Sequence, residues 1–234
     1  MSNFLKEKTI SISILNVDDL ENFLFKLNEI RKEFSLNNLI IHFDVMDGDF
    51  VANHGINIEL IKVVKKYNFF VDVHLMCFNP KDYIDKALEL GADNITIHYE
   101  IDNLYDNLKY LNTVKDSLKK EKKKLSIGIS IKPDTDIKKI FNYSSMCDVI
   151  LLMSVKPGMG GQTYINKVNK KIEIALDMKK LVQIDGGIND STIIRPNKLG
   201  VNSFVVGSYL TSNTDDISKR IIELENIINN KRGD

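Results

Sequence analysis

The clearest indication of the fold is Leu125-Ser126-Ile127-Gly128-Ile129-Ser130-Ile131-Lys132, because its two faces carry different kinds of side chain. One face carries four aliphatic side chains, and the other carries serine, glycine, serine and lysine. A strand of a closed barrel packs large aliphatic residues against outer helices and small or polar residues into a crowded lumen. A central strand of an open, doubly wound sheet is covered on both sides and is apolar on both. The stretch Thr9–Leu15 repeats the pattern, with Ser11 and Ser13 between isoleucines, so both strands favour a barrel.

The rest of the chain alternates short β-branched runs with longer amphipathic segments, a pattern typical of parallel βαβ units. The predicted strands are Thr9–Leu15, Leu39–Asp44, Phe70–Met76, Asn94–His98, Leu125–Ile131, Asp148–Ser154, Leu181–Asp185 and Ser203–Val206. The clear helical segments are Asp18–Phe34, Ile58–Tyr67, Lys81–Leu90, Leu104–Lys120, Asn166–Lys179 and Asp216–Ile228, and two short ones lie near Asp136–Asn142 and Ser191–Lys198. Eight such units predict a (β/α)8 TIM barrel, with a doubly wound sheet as the alternative. No linker divides the chain, so we expect a single domain over residues 1–234.

Composition excludes several classes of protein. The 234 residues carry 32 basic and 32 acidic side chains, and this balance argues against nucleic acid as a partner, since phosphate backbones need a basic surface. The sequence has no apolar run long enough to span a membrane, and its first residues lack the apolar segment of a secretory signal. The only cysteines, Cys77 and Cys147, form no CxxC pattern. They fit a reducing compartment, so we expect a cytoplasmic protein.

Polar side chains gather where the predicted strands end, which is where barrels of this kind place their active sites. His42 and Asp44 are two residues apart on the second strand and therefore share a face. His74 lies near the end of the third strand, and Asp185 ends the seventh. Two imidazoles and two carboxylates predict a site for one divalent metal ion, with zinc, iron, manganese and cobalt all compatible. This prediction depends on the barrel, because an open sheet would not bring these three strands together.

The two carboxylates also indicate proton chemistry. A substrate between Asp44 and Asp185 can lose a proton to one carboxylate and gain a proton from the other on the opposite face. A metal ion beside them would stabilise the enediolate formed in between. The alternative interpretation is that both aspartates only support neighbouring loops.

Glycines supply a second element of the predicted site. They follow the sixth strand at Gly158, Gly160 and Gly161, and others follow the seventh and eighth strands. Glycines let backbone N–H groups approach an anion closely, and barrels often bind phosphate at their last loops. The sequence therefore predicts a phosphorylated substrate. Nucleotide binding has no support, because neither a Walker A nor a GxGxxG signature is present.

These residues fall in blocks that resemble the ribulose-phosphate 3-epimerase family. The blocks are Ser13-Ile14-Leu15, His42-Phe43-Asp44-Val45-Met46-Asp47-Gly48, Asp72-Val73-His74-Leu75-Met76, Leu151-Leu152-Met153-Ser154-Val155-Lys156-Pro157-Gly158, Gly160-Gly161-Gln162, Asp185-Gly186-Gly187 and Val206-Gly207-Ser208. The resemblance implies a (β/α)8 barrel that interconverts D-ribulose 5-phosphate and D-xylulose 5-phosphate in the pentose phosphate pathway. It also implies a homo-oligomer, since the family forms dimers to hexamers.

The resemblance assigns a role to each matching residue. The implied metal ligands are His42, Asp44, His74 and Asp185, and the implied acid/base pair is Asp44 and Asp185. The implied contacts to the sugar come from Ser13 and His74, and a polarizable wall comes from Met46, Met76 and Met153. The implied phosphate site consists of Gly158, Met159, Gly160, Gly161, Gly186, Gly187, Gly207 and Ser208.

Three positions depart from the family pattern, and none of them is a ligand or a base. Ile12 replaces a proline before Ser13, and Met159 replaces a phenylalanine. In the loop after the second strand, Ala52 replaces a proline, and Ala52-Asn53 is followed by His54-Gly55. The changed loop normally helps to cover the substrate, so closure and specificity depend on it.

Two other functions stay open. An epimerase of allulose 6-phosphate shares the metal site, but that family tends to replace the second glycine after the strand-seven aspartate, which this chain keeps as Gly187. A catalytically inactive module that binds sugar phosphates would not need the intact acid/base pair. A decarboxylase of the Asp-x-Lys-x-x-Asp type is excluded, because Asp44-Val45-Met46-Asp47 contains no lysine.

Overall fold

The structure, a computed structural model, describes residues 8–212 and 214–229. Within them eight parallel strands form a closed barrel in which each strand pairs with the next and β8 pairs with β1. The strands are β1 (Thr9–Ser13), β2 (Leu39–Met46), β3 (Phe70–Met76), β4 (Asn94–His98), β5 (Ser126–Ile131), β6 (Val149–Met153), β7 (Leu181–Asp185) and β8 (Ser203–Val206). The (β/α)8 barrel expected from the sequence is confirmed, and the doubly wound alternative is wrong because the ring closes. Residues 1–7, 213 and 230–234 of the expected 1–234 domain lie outside the described residues.

Helices follow the strands on the outside of the ring. They are α1 (Leu20–Glu33), α2 (Ile61–Lys66), α3 (Lys81–Glu89), α4 (Leu104–Lys120), α5 (Asn169–Asp177), α6 (Ile194–Leu199), α7 (Ser208–Thr211) and α8 (Ile217–Asn229), with 3₁₀ turns at Ile58–Leu60, Ile137–Met146 and Asn166–Val168. In α1 the Asp19 side chain accepts a hydrogen bond from Asn22 N and begins the helix. None of the helices in the described ranges combines the length and apolar character needed to cross a membrane.

The observed elements differ from the predicted ones at a few ends. Strand β2 continues to Met46, two residues beyond the prediction, because Val45 and Met46 pair with Leu75 and Met76 of β3. The predicted helix near Asp136–Asn142 is a longer 3₁₀ helix over Ile137–Met146. The four-residue helix α7 was not expected.

The structure confirms that the two faces of β5 have different surroundings. Ile127, Ile129 and Ile131 belong to the main apolar core together with helix residues such as Leu108. Gly128 faces the other way, and a Cβ there would lie 2.1 Å from Thr96 Oγ1 on β4. A glycine is therefore required where the two strands meet inside the ring.

Asp72 is the central polar residue of the lumen. Its carboxylate accepts hydrogen bonds from Ser11 Oγ on β1 (3.2 Å), His42 Nδ1 on β2 (2.8 Å), Asn94 Nδ2 on β4 (2.7 Å) and Gln183 Nε2 on β7 (2.7 Å). Strands β3 and β7 stand on opposite sides of the ring, so these bonds cross the interior. A buried carboxylate is tolerated when several donors satisfy it, and Asp72 meets this condition.

Candidate active site

Four titratable side chains meet at the carboxyl ends of three strands. His42 and Asp44 come from β2, His74 from β3 and Asp185 from β7. The strand register places Asp44 directly beside His74. All four side chains are buried, and each offers one potential ligand atom that lies within 4.8 Å of the others. The cluster therefore has the size and the N₂O₂ donor set of a site for one divalent metal ion.

His42 shows that the cluster fits a cation. Its Nδ1 lies 2.8 Å from Asp72 Oδ2, and a carboxylate there accepts the Nδ1 proton. Its Nε2 lies 3.3 Å from Asp44 Oδ1 but has no hydrogen-bond partner among the described residues. Burial opposes a charge on the ring, yet the carboxylates of Asp44 and Asp72 raise the pKa of His42 well above its usual value. The unpartnered Nε2 of His42 is therefore at the position of a ligand atom for a cation in this cluster.

The two aspartates of the cluster differ in the pKa of their carboxyl groups. Burial opposes ionisation of Asp44, but the His42 and His74 rings hold the pKa of its carboxyl far below the usual range. Ser13 Oγ also donates to Asp44 Oδ2 at 2.7 Å. Burial and the negative charge of Asp44 raise the pKa of Asp185 to about 6. Two carboxyl groups of different proton affinity therefore lie side by side, and Asp185 holds a proton more tightly than Asp44 does.

His74 is fully buried and links the cluster to β4. Its Nδ1 lies 3.3 Å from Asp44 Oδ1 and 3.6 Å from Asp185 Oδ2. Its Nε2 lies 2.9 Å from Nε2 of His98, whose Nδ1 lies 2.9 Å from Glu100 Oε2. Burial lowers the pKa of His98 to about 4, so this ring is neutral at pH 7. Burial opposes ionisation of Glu100, but hydrogen bonds from His98 and its neighbours lower the pKa of Glu100 to about 2.

A cleft of about 620 Å³ opens above the cluster and brings together nearly all of the predicted substrate-binding residues. Asp44 and Asp185 line its floor. It is also lined by Ser13, Met46, Met76, Met153, Gly158, Met159, Gly160, Gly161, Gly186, Gly187, Gly207 and Ser208. The rings of His42 and His74 are fully buried and are not part of this lining. The predicted contact of His74 with the sugar therefore stays a prediction.

The glycines permit close approach of the loops that follow β6 and β7. Gly186 has φ of +118°, and a Cβ there would lie 2.3 Å from Val155 Cγ2. Gly187 has φ of +64°, and its Cβ would lie 2.6 Å from the backbone nitrogen of Tyr164. Both positions combine a left-handed backbone with a close neighbour, which only glycine accommodates without strain. The result is an arc of exposed backbone at the side of the cleft nearest β6, β7 and β8.

Comparison with known proteins assigns the chain to a family. Residues 9–211 match the model of the ribulose-phosphate 3 epimerase family. A ribulose-phosphate 3-epimerase of Aquifex aeolicus (strain VF5) is 35% identical over 176 residues, which cover 72% of this chain and 76% of that protein. The chain belongs to the ribulose-phosphate 3 epimerase family. Membership makes it an isomerase and confirms the resemblance seen in the sequence.

Two further similarities agree with this assignment. The protein of Oryza sativa subsp. japonica named ribulose-phosphate 3-epimerase, cytoplasmic isoform, is 33% identical over 179 residues, covering 73% of this chain and 74% of that protein. The crystal structure of KGPDC from Streptococcus mutans superimposes with a TM-score of 0.66, covering 95% of this chain and 97% of that one. Its sequence identity is 12%, so this second similarity concerns the fold alone.

The structure shows the contacts and exposure at the positions that depart from the family pattern. Ile12 is fully buried and pairs with Ile41 and Val206 as a regular member of β1. In the loop after β2, His54 forms a bridge with Asp47, and Asn53 Nδ2 donates to Gly158 O at 2.7 Å. Met159 is 63% exposed at the rim of the cleft. The loops after β2 and β6 therefore remain in contact despite the substitutions.

Sequence reasoning missed three polar residues that surround the cluster, namely Asp72, His98 and Glu100. The sequence separation of these residues from the histidines could have indicated them. Asp72 and His74 are two residues apart on one strand and share the face that points into the barrel, and Glu100 follows two residues after His98, just beyond the end of β4. What the sequence does not contain is the register between strands that brings these pairs against the cluster.

Proposed function

We propose that the chain is a ribulose-phosphate 3-epimerase that interconverts D-ribulose 5-phosphate and D-xylulose 5-phosphate. The proposal rests on one observation above all: Asp44 and Asp185 line a single cleft, and their carboxyl groups differ in pKa. Inversion at a carbon next to a carbonyl needs a base on one face and an acid on the other. The family and the names of the relatives supply the substrate.

The reaction proceeds by two proton transfers at C3. The ionised carboxylate, Asp44, removes the C3 proton of one epimer and leaves an enediolate across C2 and C3. Asp185, when it carries a proton, then delivers that proton to the opposite face of C3. In the reverse direction the two aspartates exchange roles. Met46, Met76 and Met153 line the cleft beside the reacting carbons and keep water from protonating the enediolate.

His42, Asp44, His74 and Asp185 would hold one divalent metal ion, which is zinc, iron, manganese or cobalt. When bound, the ion supplies positive charge that favours the negatively charged enediolate. The unpartnered Nε2 of His42 supports this assignment. Elemental analysis of the purified chain identifies the ion.

The substrate phosphate would bind at the glycine-lined side of the cleft. Gly158, Met159, Gly160 and Gly161 follow β6, Gly186 and Gly187 follow β7, and Gly207 and Ser208 follow β8. Backbone N–H groups in such concave loops bind anions without a cationic side chain. Ser13 would contact the sugar between the phosphate and the acid/base pair, and His74 is assigned a contact there by family resemblance.

The proposal extends to the setting of the enzyme. We place it in the pentose phosphate pathway of the cytoplasm, as a homo-oligomer that binds a small sugar phosphate and neither nucleic acid nor a membrane. Support comes from the two free, buried cysteines, the balanced charge and the name of the rice relative. Light scattering of the purified chain measures the number of subunits.

Isotope exchange tests the chemistry. We expect the metal-loaded chain to turn over ribulose 5-phosphate with a higher kcat/KM than allulose 6-phosphate in a coupled assay. Asp44→Asn and Asp185→Asn should each lower turnover by at least about 10²–10⁴-fold, the usual loss of a positioned acid or base. In D₂O, each metal-loaded variant should label C3 of a different epimer. Labelling of both epimers by both variants would show that one base serves both faces, and a preference for allulose 6-phosphate would change the substrate.

A further inference from the structure

The ring of His74 is held between the cluster and a second imidazole. Its Nδ1 faces Asp44 and Asp185, whereas its Nε2 lies 2.9 Å from Nε2 of His98. The two rings are stacked, with centroids 5.0 Å apart. Two imidazole nitrogens at this distance share a single proton, so one ring donates and the other accepts. The direction of this bond decides which nitrogen of His74 has a free lone pair.

Glu100 sets the direction. Its Oε2 lies 2.9 Å from Nδ1 of His98, and an ionised carboxylate can only accept a hydrogen bond. The proton of His98 is therefore on Nδ1, which makes Nε2 of His98 an acceptor. Nε2 of His74 must then donate, so that, with a cation in the cluster, the lone pair of His74 Nδ1 is available to bind it. Glu100 thus fixes the tautomer of His74 through His98.

The surroundings hold Glu100 in place. Its other oxygen, Oε1, accepts hydrogen bonds from Lys132 N at 2.8 Å and from the hydroxyl of Thr135. The loop that provides these donors is held in turn by Lys171, whose Nζ donates to the carbonyl oxygens of Lys132 (3.1 Å) and Pro133 (2.8 Å). Three donors therefore hold the two oxygens of this carboxylate. The hydrogen bonds between Glu100 and His98 and between His98 and His74, called the relay below, are therefore not an incidental contact of a surface glutamate.

We propose that His98 and Glu100 are positioning residues of the metal site, which keep His74 in the tautomer that binds a cation through Nδ1. The proposal rests on the proposed function, since it concerns the same ion. It differs from the support of His42, which contacts the carboxylate of Asp72 directly. A ligand histidine usually donates its second N–H to a carboxylate or carbonyl group. Here an imidazole is inserted between the ligand and its carboxylate.

The substitution Glu100→Gln tests the relay, because it should reverse the direction of the hydrogen bonds between residue 100, His98 and His74. The backbone N–H of Lys132 needs an acceptor, so the amide oxygen of the glutamine faces Lys132 and its NH₂ group faces Nδ1 of His98. His98 would then accept at Nδ1 and donate from Nε2, which forces the proton of His74 onto Nδ1. Changes of this kind around metal ligands typically cost about 10–100-fold in metal affinity. We expect the zinc affinity of the variant to fall in this range.

Two measurements follow the relay independently of activity. Zinc titration of the metal-free chain against a competing chelator gives the affinity. ¹⁵N–¹H spectra of histidine-labelled protein give the tautomer of each ring, a property that a merely structural role would not alter. Glu121→Gln is the matched control, because it removes the same charge from an exposed side chain whose partner is the surface residue Lys123.

The outcomes are distinct. Spectra of the zinc-loaded wild type should show His98 protonated on Nδ1 and His74 on Nε2, and these spectra test the relay even if the variant does not fold. A tautomer change with reduced zinc affinity in Glu100→Gln, and neither in Glu121→Gln, supports the proposal. Equal zinc affinity in wild type and Glu100→Gln, or opposite tautomers in the wild type, overturns the relay alone. Failure of the wild-type chain to bind any of the four metals overturns the metal site and the relay together.

Discussion

Replacement of Gly207 by aspartate tests where the phosphate binds. Gly207 lines the cleft between β8 and α7, and a Cβ there would meet no atom closer than Ser13 Cβ at 3.7 Å, an ordinary contact. The side chain therefore has room to extend into the cleft. If the phosphate binds at the adjacent backbone, the new carboxylate would lie about 5 Å from a group of about two negative charges.

The size of the effect follows from Coulomb's law. The repulsion is about 2 kcal/mol at the dielectric constant of water and about 7 kcal/mol at an effective constant of about 20. Since about 1.4 kcal/mol corresponds to a factor of ten, even the lower value reduces kcat/KM by about 30-fold. The loss should arise mainly in KM, because the phosphate is remote from the reacting carbon. It should also diminish at high salt concentration, as expected for a partly exposed pair of charges.

Gly207→Asn is the matched control, because asparagine has nearly the same shape without the charge. Steady-state assays of both variants with ribulose 5-phosphate, together with competitive inhibition by inorganic phosphate, separate charge from bulk. Metal content is measured alongside, since Ser13 also bonds to Asp44. If the asparagine and aspartate variants show the same KM and the same inhibition constant for phosphate, the phosphate does not bind at this loop.

Three further predictions concern the site and its scaffold. Zinc affinity should fall as the pH drops through about 6, because burial and Asp44 raise the pKa of Asp185 to about 6 and only the ionised carboxylate binds a metal. Constant affinity in zinc titrations between about pH 5 and pH 8 would contradict the direction of this effect. Gly128→Ala should lower the free energy of unfolding by about 1–3 kcal/mol, since the methyl group of the alanine would overlap Thr96. Urea denaturation measures this loss, and an unchanged midpoint would show that the barrel lumen has room for the methyl group. Burial raises the pKa of the Cys77 and Cys147 thiols to about 12, so iodoacetamide at about pH 8 should label both only after unfolding. Mass spectrometry measures the labelling, and a labelled cysteine in the native chain would contradict the prediction.

The fold could be predicted because barrel closure is visible in local patterns. The two faces of β5 differ in a way that an open sheet does not explain, and β1 repeats the difference. The ends of elements were less predictable. The segment Ile137–Met146 forms a 3₁₀ helix, and its apolar residues at Ile137 and Ile140 are three apart, a spacing that fits one turn of either helix type. Strand β2 is extended by its partner β3, which no pattern within β2 itself shows.

The candidate site could be predicted in part for the same reason. His42, Asp44 and Asp185 lie at strand ends with a parity that points inward, and the closed ring brings them together. Asp72 and Glu100 could not be assigned this way. Their contacts are set by the register of neighbouring strands and by loops on other units, so the tautomers of the histidines are determined by residues distant in sequence.

The carboxylate of Asp72 has a consequence for how the barrel assembles. Its donors are separated from it by 61 residues at Ser11, 30 at His42, 22 at Asn94 and 111 at Gln183. A half-barrel of β1 to β4 contains three of these donors but lacks Gln183, and it leaves the carboxylate facing water on its open side. A charge that loses its water before all its partners arrive is costly. Asp72 therefore disfavours a collapsed but incomplete ring, because its carboxylate has all of these donors only once β7 has joined the barrel.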